Sequence, residues 1–427
     1  MQRSARRDST GRRYDFDWLR AIGAVLVVTA HTASTFSPWT AAAANYDPTF
    51  SHIETNKLFS EYLWILNLWL MPLFMLLGGA SAWFTLGKRT SGRYLRERMV
   101  HIGLPFIFLM VALALPSSYA AQTFTGGFRG SFLDFVPTFF DGIYPNGHFA
   151  LFHLWFLLYL LIYAIITLPL FRFLERPAGR RLVDRVARVS RRPGGIFVFV
   201  LPLLAVQLGL SGIWPQPQFP ALVNDWKSFV MLLLAFIFGY ILISDPRFQM
   251  AIARQWPLAA GVALATSAVL ISIAWPDNFN PYRDLPVALS WNYLWFWTVL
   301  TISSWSWLVT LLGCAQRFLS RSHSLLKHAA EASYPLYLLH PLVWMPGILL
   351  IARLDVAAIP GFTAFTTGVL SGTYLLILLL KRWRVTRFLL GLKPGPIRST
   401  SSTEGRRAPA SSLDALQPKL PYNAFQK

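Results

Sequence analysis

Long apolar stretches separated by short polar segments set the pattern of this chain. A helix needs about 20 predominantly apolar residues to cross the hydrocarbon core of a bilayer. Ten stretches of this kind can be drawn, at 17–37, 61–86, 102–120, 150–171, 195–213, 228–244, 256–275, 289–313, 332–352 and 360–380. The pattern therefore predicts an all-α, polytopic membrane protein in which about ten transmembrane helices form one bundle.

The composition agrees with a membrane protein and limits the chemistry. Of the 427 residues, 54% are hydrophobic and only 14% are charged. The single cysteine, Cys314, excludes an internal disulfide and a cysteine-based zinc site, and we expect no metal. The first span resembles a signal peptide because basic residues precede it. Its apolar run, however, is longer than the core of a signal peptide and contains His31, which favours a helix that is retained.

Lysine and arginine are unevenly distributed between the segments that separate the spans. Every second segment, starting with the N-terminus, is basic, and together these segments hold 33 of the 39 lysines and arginines. The intervening loops hold one each, Lys57, Arg129, Lys227, Arg283 and Arg353. By the positive-inside rule, both termini lie in the cytoplasm. The net charge of +20 is thus topological: it favours contacts with anionic membrane lipid and predicts no nucleic-acid partner.

The domain organisation is simple. We expect a basic cytoplasmic N-terminus at 1–16, one membrane domain at 17–382 and a basic, disordered cytoplasmic tail at 383–427, which is rich in Pro, Ser, Arg and Gly. Within the membrane domain, the arginine-rich segment 172–194 favours a short surface helix that lies on the membrane.

Arg20 and His31 stand in the first span, eleven residues apart. At about 100° per residue they share one helix face, with a rise of about 16 Å between them. Ionisable groups at this depth are costly and usually face a functional cavity. The alternative is an arginine at the membrane interface and a histidine satisfied by a neighbouring helix.

A basic cluster lies where the chain enters the third span. It contains Arg93, Arg96, Arg98 and His101. Guanidinium groups bind phosphate in bidentate fashion, so the cluster is a candidate site for a phosphorylated cofactor arriving from the cytoplasm. An ordinary positive flank of a membrane span predicts the same arginines.

Histidines also occur in the fourth and ninth spans. His153 begins the fourth span, where an aromatic belt explains its neighbours but not the histidine itself. In the ninth span, Tyr337 lies one turn before His340, and Pro335 and Pro341 loosen the backbone. Freed carbonyl groups are tolerated in a bilayer where they are buried or line a cavity, so this segment is either a polar cavity wall or a packing kink.

Together these segments resemble the acyltransferase-3 family of integral membrane acyltransferases. The resemblance rests on four motifs, namely R-x10-H from Arg20 to His31, the basic segment from Arg98 to Pro105, HLWFL from His153 to Leu157, and SYPLYLLHP from Ser333 to Pro341. The segments DWLR, LNLWLMPLFMLLGGASAWF and HLWFLLYL are also similar to the osmoregulated periplasmic glucan succinyltransferases.

The resemblance implies an enzyme of the bacterial inner membrane with acyl-CoA, as acetyl-CoA or succinyl-CoA, for its donor. The acceptor is then a hydroxyl of an extracytoplasmic glycan. The resemblance makes His31 the catalytic histidine with Arg20 as its companion, and places Arg98 at the CoA phosphates. His101 stands at the second basic position, where the family commonly has arginine, so either Arg96 compensates or donor binding differs.

These expectations combine into one hypothesis. CoA docks against Arg98, and its pantetheine arm rises along the face shared by Arg20 and His31. His31 then acts as the base for the acceptor hydroxyl. Tyr337 and His340 are candidate groups for orienting the reactants or binding the oxyanion. A competing interpretation is a secondary transporter that uses the same histidines and Arg20 as a substrate site or proton relay.

Overall fold

The computed structural model describes residues 13–38, 53–124, 127–143, 147–211, 226–274 and 290–392. Its α-helices are α1 (Tyr14–Thr35), α2 (Lys57–Leu86), α3 (Ser91–Ala120, continuing to Phe124), α4 (Phe132–Thr138), α5 (Trp155–Ile166), α6 (Leu168–Leu174), α7 (Pro177–Ser190), α8 (Val200–Ser211), α9 (Trp226–Ser244), α10 (Pro246–Ala274), α11 (Trp291–Phe318), α12 (Ser324–Leu339), α13 (Pro341–Ile351), α14 (Ala358–Leu380) and α15 (Arg384–Leu389). Within these residues there is no strand, so the all-α fold class is confirmed.

Six of the described helices are long and apolar enough to cross a membrane, namely α2, α3, α9, α10, α11 and α14. The number rises to eight if each of two bent pairs, α5 with α6 and α12 with α13, is one span. The remaining two predicted spans coincide with α1 and with the shorter apolar helix Gly195–Leu210, neither of which is among the six. The chain is a multi-pass membrane protein.

Prolines explain the bends in the bundle. The axes of α12 and α13 differ by 58°, and His340 is the residue between them. Pro341 follows directly, and a proline cannot donate a backbone hydrogen bond to the carbonyl group four residues earlier. Two π-helical segments in α3, Met99–Gly103 and Met110–Ala114, likewise precede prolines, Pro105 and Pro116.

Two glycines mark a close contact between α2 and α9. A Cβ atom added at Gly79 would lie 1.8 Å from the carbonyl oxygen of Phe236, and one added at Gly239 would lie 1.8 Å from that of Leu76. Glycine at these two positions lets the backbones approach, as small residues do in membrane helix pairs. Of this pair, α2 also packs against α1.

The arginine-rich segment forms the predicted surface helix, α7. Its buried face consists of small or aliphatic residues, Gly179, Val183, Ala187 and Ser190. Its arginines point away from the fold, among them Arg180, Arg181, Arg185 and Arg188.

The first residues of the predicted tail form a short helix, α15. Its Phe388 lies near the ring of His101, at 6.1 Å between centroids, and Leu390 beyond it is buried. The rest of the predicted tail from residue 393, and the predicted N-terminal segment up to residue 12, lie outside the described residues.

Candidate functional site

Arg20 and Arg98 line one cavity of about 190 Å³. Its walls come from α1, α2, α3, α5 and α12, through Ala24, Met71, Phe74, Leu77, Gly78, Ser81, Phe156, Leu160, Ser333, Tyr334 and Tyr337. None of these lining residues carries a carboxylate. Two guanidinium groups in a mostly apolar cavity make a site suited to an anion.

Both arginines are held with part of their hydrogen-bonding capacity unused. Arg20 donates from Nη1 to the carboxylate of Asp17 and from Nη2 to the carbonyl oxygen of Leu77, each at 3.4 Å. Arg98 lies over the ring of Tyr94, 5.0 Å from its centroid. A guanidinium has five N–H groups, so the two long bonds of Arg20 leave further donors for a ligand.

His31 has its tautomer fixed by the backbone of α1. Its Nδ1 lies 2.8 Å from the carbonyl oxygen of Val27. A carbonyl oxygen only accepts, so Nδ1 carries the hydrogen and a neutral His31 has its lone pair on Nε2. That nitrogen is thereby prepared to accept a proton.

His340 has the same arrangement at the bend between α12 and α13. Its Nδ1 donates to the carbonyl oxygens of Tyr337 at 2.8 Å and Leu336 at 3.2 Å. Its Nε2 is buried and, among the described residues, has no hydrogen-bond partner. Its ring centroid lies 4.8 Å from that of His31.

His153 joins the other two histidines, and the three are termed the histidine cluster. Its ring centroid lies 5.5 Å from that of His340, and its Nε2 donates to the carbonyl oxygen of Leu338 at 3.3 Å. Three elements distant in sequence, α1, the start of α5 and the α12–α13 bend, thus bring their histidines together. Among the described residues, no group of three or more His, Cys, Asp or Glu side chains has the placement of a metal site.

Tyr337 separates the arginine cavity from the histidine cluster. Its ring lines the cavity and lies 5.7 Å from the ring of His153, and its hydroxyl donates to the backbone carbonyl of His153. His31 does not line the cavity. On the face that Arg20 shares with His31, the cavity reaches Ala24, but Val27 is packed and only 1% exposed. The continuous path expected along this face is therefore closed in this structure, because packed side chains fill it.

One protein-family model matches most of the chain. A family model described as an acyltransferase domain, Acyl_transf_3, matches residues 13–380. The chain belongs to the acyltransferase-3 family. A comparison with curated proteins and with solved structures finds no match.

The site residues predicted for this acyltransferase are brought together only in part. Arg20 and Arg98 share the cavity, and His31, His340 and Tyr337 lie at or beside the histidine cluster. Arg96 and His101 are exposed and do not line the cavity. His101 lies outside the cavity because the π-helical segment Met99–Gly103 widens the helical turn and directs this side chain toward Phe388.

Two residues that contact the predicted site are more prominent in the structure than in the sequence. His153 begins an aromatic stretch that is typical of the membrane interface, so only the HLWFL motif around it indicates a functional residue. Trp344 contacts His31 with a distance of 5.2 Å between ring centroids. Its position one turn beyond His340 is the signal that identifies it.

Proposed function

We propose that this acyltransferase moves an acetyl or succinyl group from acyl-CoA on the cytoplasmic side of a bacterial inner membrane to a hydroxyl of an extracytoplasmic glycan or another cell-envelope acceptor. One observation carries the proposal. A cavity with two arginines and no lining carboxylate lies beside a histidine cluster, and Tyr337 contacts both. Donor charge and reacting group would thus occupy opposite sides of Tyr337.

The donor site in this proposal is the arginine cavity. A volume of about 190 Å³ is smaller than an ordinary pocket for a whole ligand of this size, so only the acyl-pantetheine end enters it. Arg20 and Arg98 then meet the phosphate groups at its mouth. Arg96 and His101, which are exposed on the same helix, serve the nucleotide beyond the cavity.

The histidine cluster supplies the base. Nε2 of His31 takes the proton from the acceptor hydroxyl as its oxygen attacks the thioester carbon. The new C–O bond forms, the C–S bond breaks, and the proton passes to the CoA sulfur. His340, whose Nε2 has no partner among the described residues, orients His31 or holds the proton in transit.

Tyr337 has to move for the thioester to reach His31. Its hydroxyl is engaged with the carbonyl group of His153, so it serves as a donor to the oxyanion only after that bond is released. The bend at His340 offers the required movement, because Tyr337 lies in the last turn of α12 just before it.

The test is acyl transfer by the purified, reconstituted protein with acetyl-CoA or succinyl-CoA, followed by mass spectrometry of the acceptor. The variant His31→Ala should lose transfer, and His328→Ala, an exposed histidine of α12, is the matched control. Transfer retained by His31→Ala with normal assembly would contradict the assignment. Solute uptake without consumption of acyl-CoA would instead indicate the transporter.

A further inference from the structure

Trp344 lies on the side of His31 that faces away from the arginine cavity. In α1, Val27 stands one turn before His31 and Thr35 one turn after it. Nε1 of Trp344 donates to Oγ1 of Thr35 at 3.4 Å, and the indole ring lies against the imidazole of His31. The acyl donor would therefore reach His31 from one side, and Trp344 lies on the opposite side.

The indole is held in place but is not fully covered. The backbone N–H of Trp344 donates to the carbonyl oxygen of His340 at 2.8 Å, in addition to the bond to Thr35. The rings of Trp344 and His31 meet edge to face at 74°, so at most one face of the indole is used by this contact. Both residues are half-buried, whereas His340 is fully buried.

A fixed aromatic plane beside a basic nitrogen suits one chemical class of acceptor. The axial C–H groups of a pyranose ring form an apolar face that packs on an aromatic ring, while its hydroxyls point outward at the edge. Binding sites commonly combine one such apolar surface with a few polar groups that fix orientation. An open-chain polyol has no ring face to offer.

We propose that Trp344 is a positioning residue for the acceptor, which stacks a pyranose ring on its indole and thereby presents one sugar hydroxyl to Nε2 of His31. The inference rests on the proposed acyl transfer and deepens it by naming the sugar ring as the recognised group. Thr35 fixes the indole, and His31 performs the proton transfer.

The experiment compares two acceptors with the reconstituted full chain and the acyl-CoA that the wild type uses. The acceptors are p-nitrophenyl β-D-glucopyranoside, which has a ring face, and glycerol, which does not. For Trp344→Ala we expect KM for the glucoside to rise at least tenfold, while KM for glycerol and the rate of acyl-CoA hydrolysis without acceptor stay within twofold of wild type. Trp344→Phe keeps a ring and should raise KM for the glucoside less.

Two controls separate the outcomes. Trp291→Phe alters a tryptophan that is 78% exposed at the start of α11 and should change none of these quantities. An unchanged KM for the glucoside in Trp344→Ala would overturn the inference while leaving the proposed acyl transfer intact. Equal losses with both acceptors and in hydrolysis would also overturn it, since they indicate structural support of His31. A wild type that acylates glycerol but not the glucoside would overturn this inference alone, whereas a wild type that consumes no acyl-CoA with any acceptor would overturn the proposed function as well.

Discussion

The hydroxyl of Tyr337 donates a hydrogen bond to the backbone carbonyl of His153 and so ties the wall of the arginine cavity to the histidine cluster. The same ring touches Phe156, at 5.6 Å between centroids, and lines the cavity. This side chain is therefore part of the wall between the two halves of the site, together with Val27 of α1.

Replacing Tyr337 by Phe should weaken this closure. The variant keeps the ring but loses one hydrogen bond, which contributes about 1 kcal/mol to stability. We expect acyl-CoA hydrolysis in the absence of acceptor to rise several-fold, measured as release of free CoA. The control is Tyr334→Phe, because Tyr334 lines the same cavity with a buried hydroxyl that has no partner among the described residues. A parallel fall of hydrolysis and transfer in Tyr337→Phe would show that the hydroxyl acts in catalysis instead.

Removing either cavity arginine should weaken donor binding more than it slows chemistry. For Arg20→Gln and Arg98→Gln we expect KM for acyl-CoA to rise tenfold or more, about 1.4 kcal/mol, because each guanidinium meets the donor's charge. Arg181→Gln, at an exposed position of α7 outside the cavity, should change KM by less than threefold. Initial rates against donor concentration give these values, and equal effects at all three positions would indicate a diffuse surface charge.

His340 should affect the rate and spare donor binding. The variant His340→Phe keeps an aromatic ring of similar volume but removes Nε2, which lies in the ring packed against His31. We expect kcat to fall by about 10²-fold, within the range for groups that assist proton transfer, with KM for acyl-CoA unchanged. Steady-state kinetics at saturating acceptor measure this. A variant with wild-type kcat would reduce His340 to a packing role.

The crossing of α2 and α9 should not tolerate a methyl group. In Gly79→Ala or Gly239→Ala the new Cβ would lie 1.8 Å from a carbonyl oxygen, so the two helices must separate. Overpacking of this kind costs about 1–3 kcal/mol, seen as a lower Tm in detergent. In contrast, Gly261→Ala in α10 places its Cβ where nothing lies within 4 Å and should leave Tm unchanged or raise it.

The turn between α9 and α10 should contribute a small, pH-dependent stability. Asp245 accepts hydrogen bonds from Nη2 of Arg247 at 2.6 Å and from Nε at 3.0 Å, and this partner lowers the pKa of the carboxyl group below its ordinary value of 3.8. Since the folded-state pKa is the lower one, the contribution is complete well above pH 3.8 and disappears as pH falls through the folded-state value. Because both side chains keep some contact with solvent, with Asp245 18% and Arg247 27% exposed, Asp245→Asn should cost about 1 kcal/mol at pH 7. Thermal unfolding of both proteins at pH 7 and pH 3 tests this, and a difference that grows in acid would contradict it.

Helical periodicity alone relates two residues of the candidate site. Arg20 and His31 need only one continuous helix to share a face, and α1 is such a helix. Apolar run length likewise locates the helices, and the family motifs select His340 and Tyr337. These features depend on residues that are close in sequence.

The remainder depends on tertiary contacts and on departures from regular helix. The hydrogen bond between His153 and Leu338 joins residues that are 185 positions apart, so no local sequence pattern predicts it. A period of 100° per residue fails across Met99–Gly103, where the helix is π-helical, so Arg98 and His101 diverge. The packing of Val27, which closes the path along α1, requires the neighbouring helices to be in place.

The bend of 58° between α12 and α13 has its pivot at His340. The imidazole that faces His31 is therefore positioned by the angle between two segments of one membrane span, and not by a rigid helix. A span whose length does not match the bilayer thickness can adjust by tilting or kinking, at a cost of fractions of a kcal/mol per Å of mismatch. We therefore expect lipid chain length to alter the separation of the two imidazoles, which would make the surrounding bilayer a determinant of turnover.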